Sequence, residues 1–136
     1  MRALSLLWML LLPLVAMTAR ADDAAAVAPA AAIVSQAEVL ARMNAHDTAL
    51  VILDVRSAEE YAASHVSSAV NLAHDRINAD RPELAALRDK DVVVYCRTGR
   101  RSLLAIAALR ALGITRVSHL DGDFMAWQAM ARPTQP

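Results

Sequence analysis

Short apolar runs alternate with helix-forming segments along most of the chain. Two runs, residues 49–54 and 92–95, are apolar at consecutive positions and too short for helices, so each predicts a strand that is buried on both faces. Residues 69–72 are a short strand candidate, and residues 115–120 are predicted to form the last strand. Strands that alternate with helices predict an α/β fold, in which right-handed crossovers place helices on both faces of a parallel sheet.

Capping residues indicate where the helices begin. Ser35 and Ser57 each stand three residues before a glutamate, which is the pattern of a capping box, and they predict the first two helices. Asp80 and the nearby Pro82 predict the start of a third helix, with Asp80 as its N-cap. Two further helices are expected at residues 102–112, closed by Gly113, and in a final short segment carrying Phe124, Trp127 and Met130.

The only cysteine, Cys96, ends the second strong strand. A compact turn around Gly99 separates it from the next predicted helix, so the sulfur is expected at a helix N-terminus, where unpaired N–H groups and the helix dipole favour an anion. Arg97, Arg100 and Arg101 add positive charge close to it. A lone cysteine is most often a buried, inert apolar residue, but this setting is typical of a reactive thiolate.

The N-terminal residues predict export. Residues 1–21 combine Arg2, an apolar stretch and small residues at positions 19–21, which is the pattern of a cleaved signal peptide; the alternative is an uncleaved membrane anchor. We therefore expect a periplasmic or secreted protein with no stable membrane anchor after cleavage. Residues 22–32 are expected to form a flexible lead-in and residues 33–133 one folded domain. The formal net charge of +0 does not suggest a nucleic-acid partner.

Four groups of residues follow one another along residues 33–133 in a distinctive order and spacing. They are Leu53–Arg56 with Glu60, Tyr61, His65 and Val66; Ala69–Asn71; Tyr95–Ser102; and Leu120–Gly122 with Ala126 and Trp127. Together they resemble the single-domain rhodaneses, which are thiosulfate sulfurtransferases. The resemblance implies a rhodanese-like fold, with a five-stranded parallel sheet flanked by helices and the catalytic cysteine in a loop between strand and helix.

The chain departs from the family pattern at three turns. Ser64 stands where a glycine usually precedes the histidine, and Ser67 and Ser68 stand where Pro-Gly is usual. Asp123 replaces the second of two glycines that usually precede the tryptophan motif. We expect these departures to affect backbone shape away from the sulfur and to leave the cysteine loop intact.

The resemblance implies that Cys96 attacks the outer sulfur of thiosulfate, holds it as a persulfide and passes it to cyanide or a thiol. No cofactor and no metal are expected. Backbone N–H groups of the loop should surround the sulfur, and the hydroxyls of Thr98 and Ser102 should add hydrogen bonds. Arg97 and Arg100 are expected to hold the anion, while at least one of the three arginines should face solvent or pair with a carboxylate. The candidate substrate-binding residues are Arg97, Thr98, Gly99, Arg100, Arg101 and Ser102.

Asp54 and Arg56 are candidates for a supporting role behind the cysteine loop. Because Arg56 and Glu60 are four residues apart at a helix start, we favour a structural ion pair between them over direct catalysis. His65 and Trp127 are expected to pack in the interior. The remaining histidines, which lack metal-ligand spacing, are His46, His74 and His119.

Two other functions remain open at the level of sequence. The first is a cysteine phosphatase or arsenate reductase, because dual-specificity phosphatases with the same fold also use a cysteine loop on oxyanions. Their loops are one residue longer and place the anion-binding arginine six positions after the cysteine, whereas Ser102 occupies that position here and Arg101 lies one residue earlier. The second is a non-catalytic persulfide carrier or sensor that docks on a partner protein. The physiological sulfur acceptor and the oligomeric state are also open.

Overall fold

A computed structural model describes residues 29–136, so the predicted signal peptide and residues 22–28 of the predicted lead-in lie outside the described residues. Seven strands are found in this part of the chain: β1 (Ala32–Val34), β2 (Leu50–Asp54), β3 (His65–Val66), β4 (Val70–Asn71), β5 (Asp91–Tyr95), β6 (Val117–Leu120) and β7 (Thr134–Gln135). The helices are α1 (Gln36–Asn44), α2 (Ala58–Ala63), α3 (Arg100–Ala111) and α4 (Asp123–Ala129), with 3-10 segments at His74–Arg76 and Pro82–Leu87.

Five of the strands form one parallel sheet in the order β1-β6-β5-β2-β4, which confirms the predicted sheet. β5 lies at its centre, between β2 and β6. The short strands β3 and β7 form a separate antiparallel pair. Since the strands of the main sheet are parallel, the residues that follow β2 and β5 come together at one edge, and Cys96 lies at that edge.

The two faces of β5 belong to two different cores. Val92 and Val94 pack with residues of α3 and of the segment Pro82–Leu87, while Val93 and Tyr95 pack with residues of α1 and α4. Because successive side chains of a strand point to opposite faces, a strand covered by helices on both sides must be apolar at consecutive positions. This requirement accounts for the unbroken apolar run that marks β5 in the sequence.

The starts of three helices show how well local capping rules work here. Ser57 and Glu60 form a complete capping box at α2, and Ser35 accepts the Glu38 N–H at the start of α1. The prediction of Asp80 as an N-cap is wrong. Pro82 occupies the first position of its 3-10 segment, so the N-cap is the residue directly before it, Arg81, which makes no side-chain cap.

α3 begins two residues earlier than predicted, at Arg100, and has Gly99 as its N-cap. Arg100 and Arg101 therefore lie in the first turn of the helix, not in the loop. At the other end, Gly113 has a φ of 82°, and the N–H groups of Gly113 and Ile114 bond to the carbonyls of Arg110 and Leu109. This is the Schellman arrangement, which confirms Gly113 as the residue that closes the helix.

β1 and the pair β3–β7 were not predicted. β1 includes Ala32, which the sequence assigned to the flexible lead-in, and pairs with β6 at the edge of the sheet. Each of these strands has only two or three residues, which is too few for a periodic pattern of apolar residues to show. Among residues 29–136, no helix combines the length and the hydropathy that a membrane span requires.

Candidate active site

The sulfur of Cys96 accepts a hydrogen bond from the backbone N–H of Gly99, with a distance of 3.0 Å between sulfur and nitrogen. The residue as a whole is 1% exposed. Gly99 adopts a φ of 116°, a conformation that residues with a Cβ rarely adopt, and a Cβ there would lie 3.1 Å from Oδ2 of Asp123. A glycine is therefore required at this position to aim its N–H at the sulfur.

Helix α3 adds a favourable field for negative charge at the cysteine. It has twelve residues and begins directly after Gly99, so its unpaired N–H groups face the end of the loop that holds Cys96. The loop was expected to direct several N–H groups at the sulfur. The structure records one of them, that of Gly99, within hydrogen-bond distance.

The three arginines near Cys96, one in the loop and two in the first turn of α3, have different surroundings. Arg97 and Arg100 are exposed, and within residues 29–136 neither forms a salt bridge. Arg101 is the arginine that pairs with a carboxylate: its two terminal nitrogens lie 2.6 and 2.9 Å from the oxygens of Glu60. The pKa of Arg101 is raised mainly by this hydrogen-bonded pair and to a smaller extent by the nearby Cys96. The pair with Glu60 thus holds Arg101 near the sulfur.

Arg56 does not pair with Glu60, and that prediction is wrong. Its guanidinium binds Asp54 instead, with Nε 2.9 Å from Oδ1 and a terminal nitrogen 2.6 Å from Oδ2. The same terminal nitrogen donates to the carbonyl of Ser64, and the guanidinium lies 4.0 Å from the ring centre of Phe124. Glu60 pairs with Arg101 instead, and its Oε2 accepts both the Ser57 N–H of the capping box and an N–H of Arg101.

Asp54, Arg56 and Tyr95 form a buried network that joins the ends of β2 and β5. The Tyr95 hydroxyl donates to Oδ2 of Asp54 at 2.6 Å and accepts the N–H of Val66 at 3.0 Å. Burial raises the pKa of Tyr95 far above its ordinary value, and the bond to Asp54 adds to that effect. Asn71 completes the network by donating to the backbone carbonyls of Asp54 and Arg56. Asp54 and Arg56 therefore support the strand ends and are not in hydrogen-bond contact with Cys96.

Asp123 is the main residue of the site that the sequence prediction missed. Its Oδ1 accepts the Cys96 N–H at 2.9 Å and the Ser102 hydroxyl at 2.8 Å, and its Oδ2 lies 2.9 Å from Nε2 of His119. Two predictions are corrected by these contacts. Ser102 donates to Asp123 and not to the sulfur, and the replacement of glycine by Asp123 lies at the cysteine loop and not away from it.

Thr98, His65 and Trp127 have no recorded hydrogen bond to the sulfur within residues 29–136. Thr98 is exposed, and its hydroxyl donates no hydrogen bond to any residue of the part of the chain that the structure describes. His65 and Trp127 are buried: His65 stacks on Tyr61 with ring centres 3.6 Å apart, and Trp127 donates to the carbonyl of Pro133. A cleft of about 700 Å³ adjoins the loop and is lined by Arg56, Ser64, Arg97, Phe124, Met125 and Gln128 among others.

Comparison with known proteins points to one family. The model of the Rhodanese-like domain matches residues 35–130. A sulfurtransferase from Allochromatium vinosum is 33% identical over 96 residues, which span 71% of this chain and 88% of that protein. The human single-domain sulfurtransferase superposes with a TM-score of 0.63 and 27% identity, covering 74% of this chain and 97% of that structure.

Other matches carry less weight. The chain spans 47% or less of the length of two further curated relatives, an uncharacterized Synechocystis protein and a probable adenylyltransferase/sulfurtransferase of Mycobacterium tuberculosis. A Rhodopseudomonas palustris protein described as a possible tyrosine phosphatase superposes with a TM-score of 0.68, over 77% of this chain and 85% of that structure. At 23% identity, this last likeness shows the fold alone.

Because Glu60 pairs with Arg101, we predict that the free energy of unfolding depends on pH in the acidic range. The hydrogen bond from Arg101 lowers the pKa of Glu60 from 4.5 to about 2, so the pair stabilises the fold above pH 4.5, and that contribution is lost as pH falls from 4.5 through 2. Because the pair is partly exposed, Glu60→Gln should lower the free energy of unfolding by about 1 kcal/mol or less at pH 7.

Urea unfolding of the wild type and of the variant at pH 7, 4 and 2.5 checks this expectation. The difference in the free energy of unfolding between the wild type and Glu60→Gln should become smaller at each lower pH. Glu59→Gln is the matched control, since Glu59 lies in the same first turn of α2 but forms no salt bridge within the described residues. An equal effect of the two substitutions, or a gap that does not change with pH, would show that the pair with Arg101 contributes nothing.

Proposed function

The chain belongs to the rhodanese-like domain family, and from that premise we propose that it moves the sulfane sulfur of thiosulfate to a thiophilic acceptor through a persulfide on Cys96. The observation that carries the proposal is the setting of the only cysteine. Its sulfur accepts the Gly99 N–H at 3.0 Å, at the start of a twelve-residue helix and beside Arg101. The sulfurtransferases among the relatives and structural neighbours support the same reaction class.

The reaction consists of two displacements at sulfur. In the first, the Cys96 thiolate attacks the outer sulfur of thiosulfate, a new S–S bond forms, and the old S–S bond breaks so that its electron pair leaves with sulfite. In the second, cyanide or a thiolate attacks the outer sulfur of the persulfide, which releases thiocyanate or a new persulfide and regenerates the Cys96 thiolate. No oxidant or reductant is consumed when cyanide is the acceptor.

The surroundings of the sulfur favour both anionic forms of this cycle. A thiolate and a persulfide each carry negative charge, and each is stabilised by the Gly99 N–H, by the α3 N-terminus and by Arg101. Because the thiolate is the nucleophile, a site that holds it ionised needs no general base. The 1% exposure of Cys96 favours a small donor such as thiosulfate over a bulky phosphoprotein.

Arg97 and Arg100 are the candidates for holding the sulfonate end of thiosulfate. Both are exposed and flank Gly99, whereas the charge of Arg101 is already matched by Glu60. The cleft beside Arg97 offers space for the acceptor to approach the loop. Guanidinium groups suit this task because they form charge-assisted hydrogen bonds with oxyanions.

We also propose that the protein is exported to the periplasm or secreted, on the strength of the signal-like residues 1–21. Export with cleavage would leave a mature protein that begins at Asp22. N-terminal sequencing of the exported protein decides this point, and an N-terminus at Met1 would contradict it.

Replacing the sulfur nucleophile tests the proposed reaction. Cys96→Ser should reduce thiocyanate formation from thiosulfate and cyanide to the rate without protein, because a serine hydroxyl forms no persulfide. Activity retained by Cys96→Ser would contradict the proposal. Two further outcomes would replace it: hydrolysis of p-nitrophenyl phosphate without sulfur transfer would indicate a phosphatase, and a persulfide that forms but is not turned over by cyanide or a thiol would indicate a carrier.

Charge-neutral substitutions test the anion-binding arginines. Arg97→Gln and Arg100→Gln should each raise the KM for thiosulfate by roughly tenfold, the order expected for one hydrogen bond to a charged group, and should change kcat less. Arg110→Gln is the control, because Arg110 lies at the far end of α3 and binds the carbonyl of Pro29. Equal losses in kcat and kcat/KM would instead place these arginines in contact with the transition state.

A further inference from the structure

Asp123 occupies a backbone conformation that usually belongs to glycine. It is the first residue of α4, is 2% exposed and has a φ of 53°. A residue with a Cβ in this region costs on the order of 1 kcal/mol relative to glycine and persists where its surroundings fix it. The contacts of its side chain show what those surroundings are.

The carboxylate of Asp123 joins three elements at the cysteine loop. It accepts the N–H of Cys96 at the end of β5 and the hydroxyl of Ser102 in α3, and it binds His119 at the end of β6. The backbone makes a second connection, because the N–H of Phe124 donates to the carbonyl of Cys96 at 3.0 Å. Both backbone polar groups of Cys96 are therefore held by two consecutive residues of α4.

These two hydrogen bonds to the backbone of Cys96 fix the position of its sulfur relative to the Gly99 N–H. His119 and Asp123 also pack against Gly99: a Cβ placed on Gly99 would lie 3.1 Å from Oδ2 of Asp123 and 3.4 Å from Cε1 of His119. The same pair thus contacts both residues of the bond between Cys96 and Gly99. A change in the pair would move the two ends of that bond.

Placing the Asp123 carboxylate beside Cys96 has an electrostatic cost, and His119 offsets it. A carboxylate beside the cysteine opposes the ionisation of the thiol, because two like charges would lie close together. Burial tends to raise the pKa of Asp123, but hydrogen bonds from His119, Cys96 and Ser102 together lower it, so the carboxylate is ionised at neutral pH. The hydrogen bond to Asp123 raises the pKa of His119 and favours the imidazolium.

The charged groups around the pair come from several elements. Asp121, in the turn before α4, adds to the attraction for a proton on His119. On the side of the sulfur, Arg101 of α3 acts on Cys96, and Glu60 of α2 is bound to Arg101.

We propose that Asp123 and His119 form a positioning pair for sulfur transfer: Asp123 holds the backbone of Cys96 so that its sulfur meets the Gly99 N–H, and His119, whose Nε2 lies 2.9 Å from Oδ2, holds the Asp123 carboxylate and compensates its charge. The inference rests on the proposed function for its kinetic test, although its spectroscopic test requires no sulfur donor. Neither residue touches the reacting atoms, so both act through Cys96.

Turnover of thiosulfate and cyanide gives the kinetic test. Asp123→Gly relieves the backbone conformation but removes the acceptor, so kcat should fall about tenfold, while the KM for thiosulfate should change less than twofold. Asp123→Asn keeps an oxygen that accepts from Cys96 and Ser102 and should recover most of the lost kcat. Ser68→Gly is the matched control, because Ser68 also has a positive φ, of 69°, but is exposed and outside the loop.

A pH titration followed by the ultraviolet absorbance of the thiolate gives the second test, and the single cysteine makes it specific when the signal of Cys96→Ser is subtracted. His119→Gln should move the midpoint of the titration upward by roughly one pH unit, because it leaves the charge of Asp123 unbalanced. In the double variant Asp123→Asn with His119→Gln, that shift should disappear. The absorbance titration does not use Asp123→Gly, so its result does not depend on whether that variant folds normally.

The outcomes separate the two proposals. If the wild type does not transfer sulfur from thiosulfate, the proposed function fails, and the absorbance titration still decides the role of the pair. If the wild type transfers sulfur but Asp123→Gly keeps its kcat, or if His119→Gln titrates as the wild type does, the positioning pair is refuted and the proposed function stands.

Discussion

A left-handed backbone conformation at Gly99 aims its N–H at the sulfur of Cys96, and the arrangement of the site depends on that hydrogen bond. The bond can form only because β5 ends at the centre of the sheet and α3 begins within four residues of Cys96. Burial of β5 on both faces fixes where the strand ends. The position of the sulfur is therefore determined by the packing of the whole sheet, together with one turn that requires glycine.

Some charged side chains around the cysteine loop have a salt-bridge partner of opposite charge, and others do not. Buried or partly buried groups occur in pairs: Asp54 with Arg56, Glu60 with Arg101, and Asp123 with His119. Such pairing avoids the cost of an isolated charge in the interior. Arg97 in the loop and Arg100 in the first turn of α3 are exposed, and neither forms a salt bridge within residues 29–136. The charges that support the loop are therefore compensated within the protein, which leaves these two exposed arginines as the candidates for binding an anion.

The parts of the fold that the sequence predicted correctly are those set by local rules. The central strands follow from consecutive apolar residues, α2 follows from its capping box, and the end of α3 follows from Gly113. The parts that were missed depend on contacts between distant residues. Strands of two or three residues exist only through their partners, and Asp123 lies 27 residues from the Cys96 N–H that it accepts. The pairing of Glu60 with Arg101 in place of Arg56 spans 41 residues, which no spacing rule could detect.

The proposed sulfur transfer requires Cys96 to carry a second sulfur atom, and mass spectrometry of the protein after exposure to thiosulfate tests this requirement most directly. We predict a gain of about 32 Da, the mass of one sulfur atom, on the peptide that contains Cys96, and loss of that mass on addition of cyanide. An unchanged mass, or a gain on a peptide that lacks Cys96, would contradict it.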